Sequence, residues 1–282
     1  MPTEDSASRA RTWQEEAERL LSLLSCFAPE REVVFASSEF LTGKRFYDLC
    51  LANEVRTPEE LEKKLGPEYK NQLLTKNKEQ ALHFARKLRD LGHKIVLTPV
   101  LFDAQNWSGS EYMSFWDLLI TRKCHVVCLN EFWQFSDSCV FHYIAGLKTG
   151  KKLLDHAGNS LLLDSARKTL ASAIRRLEDY GFDVPNLHEA LNELKTPGLW
   201  DDGATSLNAT ARPTVSFFQN SKSRENWIWR APSPSVGRSN PAMGVKVEPN
   251  TRLICATLAR LKRLKASATK SKPRLPQRNV SC

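Results

Sequence analysis

The chain has 282 residues, enough for one large domain or one domain with appendages. Its net charge of +9 is unevenly held: residues 196–282 carry 15 Lys/Arg against 4 Asp/Glu, which leaves 26 basic and 28 acidic residues in 1–195 and a nearly neutral body. No apolar run approaches the ~18–20 residues of a membrane-spanning helix. The polar stretch Met1 to Arg11 lacks the apolar core of a secretory leader. The expectation is a cytoplasmic protein with no membrane partner. Its 7 cysteines, odd in number and scattered, read as reduced and mostly buried thiols.

Three regions follow from the pattern. Residues 1–30 hold a polar segment, read as disordered over 1–10, and then an amphipathic helix from Trp13 to Phe27. Residues 31–195 alternate strand and helix. Residues 196–282 form a Pro/Ser-rich linker and a basic tail, read as largely disordered.

Within the middle region, Glu32 to Ala36 is an apolar strand followed by the loop Glu39-Phe40-Leu41-Thr42-Gly43. Phe46 to Val55 reads as a short helix. Thr57-Pro58-Glu59-Glu60 opens another, with proline at the first helical position and acids in the first turn. Asn77 to Leu91 carries the clearest stripe, and Gly92 stops it. His93 to Val100 is the second strand, Ser110 to Arg122 a helix, and Cys124 to Leu129 the third strand. Ser136 to Gly150 is a helix and Lys151 to Asp155 a fourth strand. Ser160 to Tyr180 and Leu187 to Leu194 close the region as helices. Apolar, non-alternating strands between helices predict a three-layer, doubly wound parallel sheet of about five strands.

The stretch from Ala81 to Lys151 organises the chain. A sheet of this kind places its ligands where a strand hands over to a helix, here between Val126–Leu129 and the helix from Ser136. The chain has neither a Walker loop nor Gly-x-Gly-x-x-Gly, so ordinary kinase and dinucleotide chemistry lack their phosphate cradle and no cofactor is expected. Ser136, Asp137 and Ser138 could offer helix N–H groups to a phosphate; the same residues also suit plain N-capping. Cys124 and Cys128 with Cys139 and His142 make a nominal Cys₃His set. On an extended strand, however, the two cysteine sulfurs would stand ~13 Å apart, too far for one ion, so no metal is expected. A Cys139/His142 nucleophile pair is a further option. The tail over 252–282, with leucines set among Lys and Arg, suits electrostatic contact with nucleic acid or an acidic partner, or else a solvated extension.

Leu41-Thr42-Gly43 after the first strand, Gly92-His93 before the second, Asp117 on the next helix, and Trp133, Ser136 and Gly150 around the third crossover occur in an order and spacing that resemble the nucleoside 2-deoxyribosyltransferase-like superfamily. The likeness is to its small flavodoxin-like-fold branch and covers roughly residues 33–155. The resemblance implies a nucleoside or nucleotide ligand, chemistry at an N-glycosidic bond as a hydrolase or transferase, and sites completed across a homo-oligomer. It implies a pocket formed by Ser37 to Gly43, Asp103 to Trp107 and Glu131 to His142. Ser37, Thr42, Gly43, Asp103, Trp107, Trp133, Ser136 and Ser138 would be its ligand contacts, Trp133 by stacking on a base. Asp117 would be a ligand-contacting or catalytic acid. In that superfamily a helix glutamate attacks the anomeric carbon, a role that suits an ionised carboxylate. The matching position here is His142. Phe132 stands where the family has glycine, and His125 where it has aspartate. Glu131 or Asp137 could supply the carboxylate from the loop. Otherwise the domain is a catalytically degenerate nucleotide-binding or interaction module.

Overall fold

A computed structural model of the chain describes residues 4–28, 32–102 and 107–196, all within one compact unit. The expected linker and basic tail therefore lie outside the described residues, as does Asp103. The described elements run α1 (Glu4–Phe27), β1 (Val33–Ser37), α2 (Lys44–Ala52), α3 (Pro58–Leu65), α4 (Glu68–Asp90), β2 (Ile95–Leu97), α5 (Gly109–Lys123), β3 (Val126–Leu129), α6 (Asp137–Lys148), β4 (Lys152–Leu154), α7 (Leu163–Asp179) and α8 (Pro185–Lys195). Helix begins at Glu4, inside the segment expected to be disordered. None of these helices is long and apolar enough to cross a membrane.

The four strands are all parallel, in the order β2-β1-β3-β4. Among the described residues the sheet thus has four strands, not about five, because the chain after β4 goes into α7 and α8. Parallel pairing explains the strand composition. Every residue of β1 and β3 is buried, since both faces of the sheet are covered. Alternate residues divide between two apolar clusters. Val33, Phe35, Val127, Leu129 and Leu153 join the larger one, which includes residues of α1, α2, α5, α6, α7 and α8. Val34, Ala36, Val126, Cys128 and Leu154 face the other way, onto Phe84, Ala85 and Leu88 of α4.

Helix boundaries follow local chemistry. Thr57 caps α3 through a capping box with Glu60, and Ser108 caps α5 through one with Glu111. Gly146 sets how closely α6 approaches the sheet. A Cβ there would lie 2.7 Å from Leu153 Cδ2 and 3.2 Å from Val127 Cγ2. That close approach seats the preceding turn, with His142, against the end of β1. Cys50, Cys124, Cys128 and Cys139 are buried free thiols, and Cys26 is exposed.

Candidate functional site

The order β2-β1-β3-β4 reverses between β1 and β3, so the connections leaving these two strands diverge and open a crevice at their carboxyl ends. Ser37 ends β1, and strand alternation points its side chain toward α6, like those of Val33 and Phe35. Its hydroxyl lies 2.9 Å from His142 Nδ1 in a buried hydrogen bond. The Phe35 ring meets the imidazole in an edge contact, with centroids 4.9 Å apart. His142 is 1% exposed. Burial pulls its pKa down to about 3, so the ring is neutral near pH 7. Its second nitrogen, Nε2, has no hydrogen-bond partner in the protein.

His142 lines a cavity of about 30 Å³, whose other polar lining comes from Ser38 and Ser138. Phe40, Pro99, Met113 and Trp116 form the apolar wall, with Tyr112 stacked on Trp116 at 6.2 Å and 22°. These residues come from the ends of β1 and β2 and the N-terminal halves of α5 and α6. Six described residues bury a polar side-chain atom without a partner, and four of them lie just after a strand or on the cavity. They are Ser38 after β1, Thr98 after β2, Asn130 after β3, and His142. Buried polar groups are nearly always paired, so unpaired ones at one end of a sheet call for an explanation.

Of the residues expected from the sequence, Ser37, Ser138 and His142 come together at this cavity. Ser136 joins through its hydroxyl, 3.1 Å from that of Ser138. It is the N-cap residue of α6 but makes no side-chain cap bond, so the plain capping role does not hold for its hydroxyl. The others stand apart from the cavity. Trp133 is buried and stacked on Tyr143, with centroids 5.3 Å apart, which makes it a core residue rather than a surface for a base. Trp107 is buried against Trp13 and donates to Glu16 Oε2 at 2.9 Å. Burial raises the pKa of Asp117, and the charge that opposes the shift is Lys148, in the last turn of α6 and three turns from Ser138. Glu131 is exposed. Asp137 is raised by burial and accepts a hydrogen bond from Asn186 Nδ2 of α8 at 2.9 Å. Thr42 and Gly43 lead into α2 and do not line the cavity.

The Cys139/His142 pair is corrected by the same geometry. Burial pushes the Cys139 thiol up to about 12, so it stays protonated, and the imidazole's hydrogen bond goes to Ser37. Among the described residues no group of three His, Cys, Asp or Glu side chains is placed to hold a metal ion.

Glu39 was not singled out in the sequence, because an acid in a loop looks ordinary. Yet it is 5% exposed, between the cavity residues Ser38 and Phe40. Burial pushes its pKa up to about 7, against the lowering effect of the Lys44 and Arg45 backbone N–H groups and the Arg45 charge. Its Oε1 accepts from Lys44 N at 3.1 Å, so the carboxyl closes the N-terminus of α2. The one available signal was Gly43, four residues on. Gly43 has φ 139, and a Cβ there would lie 2.7 Å from Glu39 Cγ and Oε2 and closer still to Cδ. Phe132 also carries a left-handed backbone, φ 63 and ψ 18; the residue is 38% exposed, and Lys44 Nζ lies 5.4 Å from its ring centroid.

No protein-family model, curated protein or solved structure matches the chain.

Proposed function

We propose that this domain binds a nucleoside or nucleotide at the carboxyl ends of β1, β2 and β3, on a flavodoxin-like sheet of the nucleoside 2-deoxyribosyltransferase-like type, as a binding module without the glutamate chemistry of those enzymes. The observation that carries the reading is the pair of unpartnered Ser38 and His142 atoms on a cavity walled by Phe40, Trp116 and Tyr112, with unpartnered Thr98 and Asn130 at the neighbouring strand ends. Polar atoms of this kind recognise a ligand's oxygens and nitrogens, and Trp116 and Tyr112 belong to the cavity's less polar side. A cavity of about 30 Å³ holds roughly two water-sized spheres. It therefore takes one group of the ligand, and the remainder lies across its mouth.

The non-catalytic reading rests on His142. A neutral, buried imidazole at the family's nucleophile position does not replace an ionised carboxylate. The test is thermal-shift and calorimetric titration of the full chain with nucleosides, nucleotides and free bases, followed by chromatography of each ligand. Selective stabilisation with the ligand recovered intact supports the proposal. Release of free base assigns the domain to glycosidic catalysis instead. No stabilisation by any of them overturns the nucleotide reading.

A further inference from the structure

His142 makes one hydrogen bond, and the identity of that bond decides what its other nitrogen can do. A neutral imidazole carries one proton, so one nitrogen donates and the other accepts. The partner of Nδ1 is the Ser37 hydroxyl at 2.9 Å, which itself has a single proton to give. The Ser37 hydroxyl makes no second side-chain hydrogen bond among the described residues, so donation to Nδ1 is what gives its proton an acceptor. This places the ring proton on Nε2, the atom that has no partner and belongs to a residue lining the cavity.

We infer that His142 is a ligand-orienting donor, presenting Nε2–H to an unprotonated oxygen of the bound molecule. This rests on the binding reading above and deepens it by naming the chemistry the site accepts: a phosphoryl or carbonyl oxygen rather than a hydroxyl proton or an amine. Ser38, whose hydroxyl is likewise unpartnered and on the cavity, supplies a second donor to the same group. Ser37 acts through His142 as a positioning residue. Its hydroxyl fixes which tautomer the ring adopts, much as an outer partner fixes a catalytic or metal-binding imidazole.

The experiment is long-range ¹H–¹⁵N correlation on the full chain with ring-labelled histidine. His142→Phe identifies the His142 signals among those of the 6 histidines. The expected result for the unliganded wild type is a protonated Nε2 and an unprotonated Nδ1. Addition of deoxyuridine, deoxyuridine monophosphate and inorganic phosphate in separate samples then shifts Nε2. A response to inorganic phosphate identifies a phosphoryl oxygen, and a response to deoxyuridine alone identifies a carbonyl oxygen. Ser37→Ala lowers the affinity of the responding probe about tenfold, the scale of one hydrogen bond. A wild-type Nδ1–H tautomer overturns the inference outright. If a probe raises Tm while Nε2 does not move, the donor assignment fails and the binding reading stands. If none of the three probes binds, the nucleosides and nucleotides with the other bases are added in the same way; if none of those binds either, the nucleotide reading fails and takes the donor assignment with it.

Discussion

Gly43→Ala tests how the loop after β1 is built. Two costs can be separated. The backbone at φ 139 and ψ −175 lies in a region essentially reserved for glycine, worth about 1–3 kcal/mol for any other residue. The new methyl also falls 2.7 Å from Glu39 Cγ and Oε2 and drives the carboxyl off the Lys44 N–H. Losing a buried hydrogen bond to a carboxylate costs about 1.5–3 kcal/mol. Together the substitution destabilises the domain by roughly 3–5 kcal/mol, a large share of an ordinary stability of about 5–15 kcal/mol. The second term requires Glu39. In a Glu39→Ala background the clash is gone, and Gly43→Ala costs only the backbone term. The double-mutant cycle thus yields a coupling of about 2 kcal/mol. Urea denaturation of the four proteins at one pH, with unchanged m, measures it. Additivity within ~0.5 kcal/mol would refute the argument that the glycine is there to seat the carboxyl.

Glu39 and His142 oppose each other in pH. Glu39 has its folded pKa raised from 4.5 to about 7, so its contribution is intact below 4.5 and is lost as pH rises to 7. Glu39→Gln removes that loss: its stability relative to wild type climbs between pH 4.5 and 7 and levels off about 3 kcal/mol higher by pH 8, read from urea midpoints. A flat difference across that window would mean the carboxyl is not buried as described. His142 is depressed from 6.5 to about 3, so its contribution is present above 6.5 and falls away as pH drops toward 3. In His142→Phe that acid-side loss disappears, and an unchanged acid limb would show a solvated ring. At Phe132, Gly should be more stable than Ala by about 1 kcal/mol, the reverse of an ordinary position, because the backbone there is left-handed. Equal denaturation midpoints for Phe132→Gly and Phe132→Ala would remove the strain argument.

The fold was legible where burial is two-sided or periodic. Val33 to Ala36 and Val126 to Leu129 read as strands because each residue faces one core or the other. The start of α4 was missed by nine residues for a physical reason. Its buried stripe, Tyr69, Leu73, Asn77, Ala81, is interrupted by an asparagine. Asn77 is buried because it accepts from Arg45 Nη1 at 2.7 Å and donates to Phe40 O at 2.8 Å, partners 32 and 37 residues away. Pro99 ends β2 early by opening a 3₁₀ turn, and Ser108 rather than Ser110 caps α5 because its box closes with Glu111. At the site, the crossover and Ser37, Ser138 and His142 could be read from local order. Met113, Tyr112 and Trp116 could not, because a helix stripe does not say which strand end it covers. For Trp133 the loop position suits either a base or the core, and the partner that decides it, Tyr143, lies ten residues on in the next helix, where it provides a stacking contact inside the core.

The acids around the crossover also bear on what the site does. A covalent glycosidic mechanism needs a carboxylate that is ionised, unencumbered and aimed at the ligand. Glu131 is ionisable but exposed on the loop. Asp137 is engaged by Asn186, and burial raises its pKa. Asp117 is likewise raised by burial, on the turn of α5 that faces Lys148. Glu39 is buried at the right end of the sheet, but its carboxyl closes α2 and is about half protonated near pH 7. What remains at the cavity itself is uncharged: two serine hydroxyls and a neutral imidazole against an aromatic wall. Neutral donors hold a ligand through directional hydrogen bonds. This is the arrangement that the proposed binding module needs, and under the proposed likeness His142 is the residue on which the distinction between recognition and turnover turns.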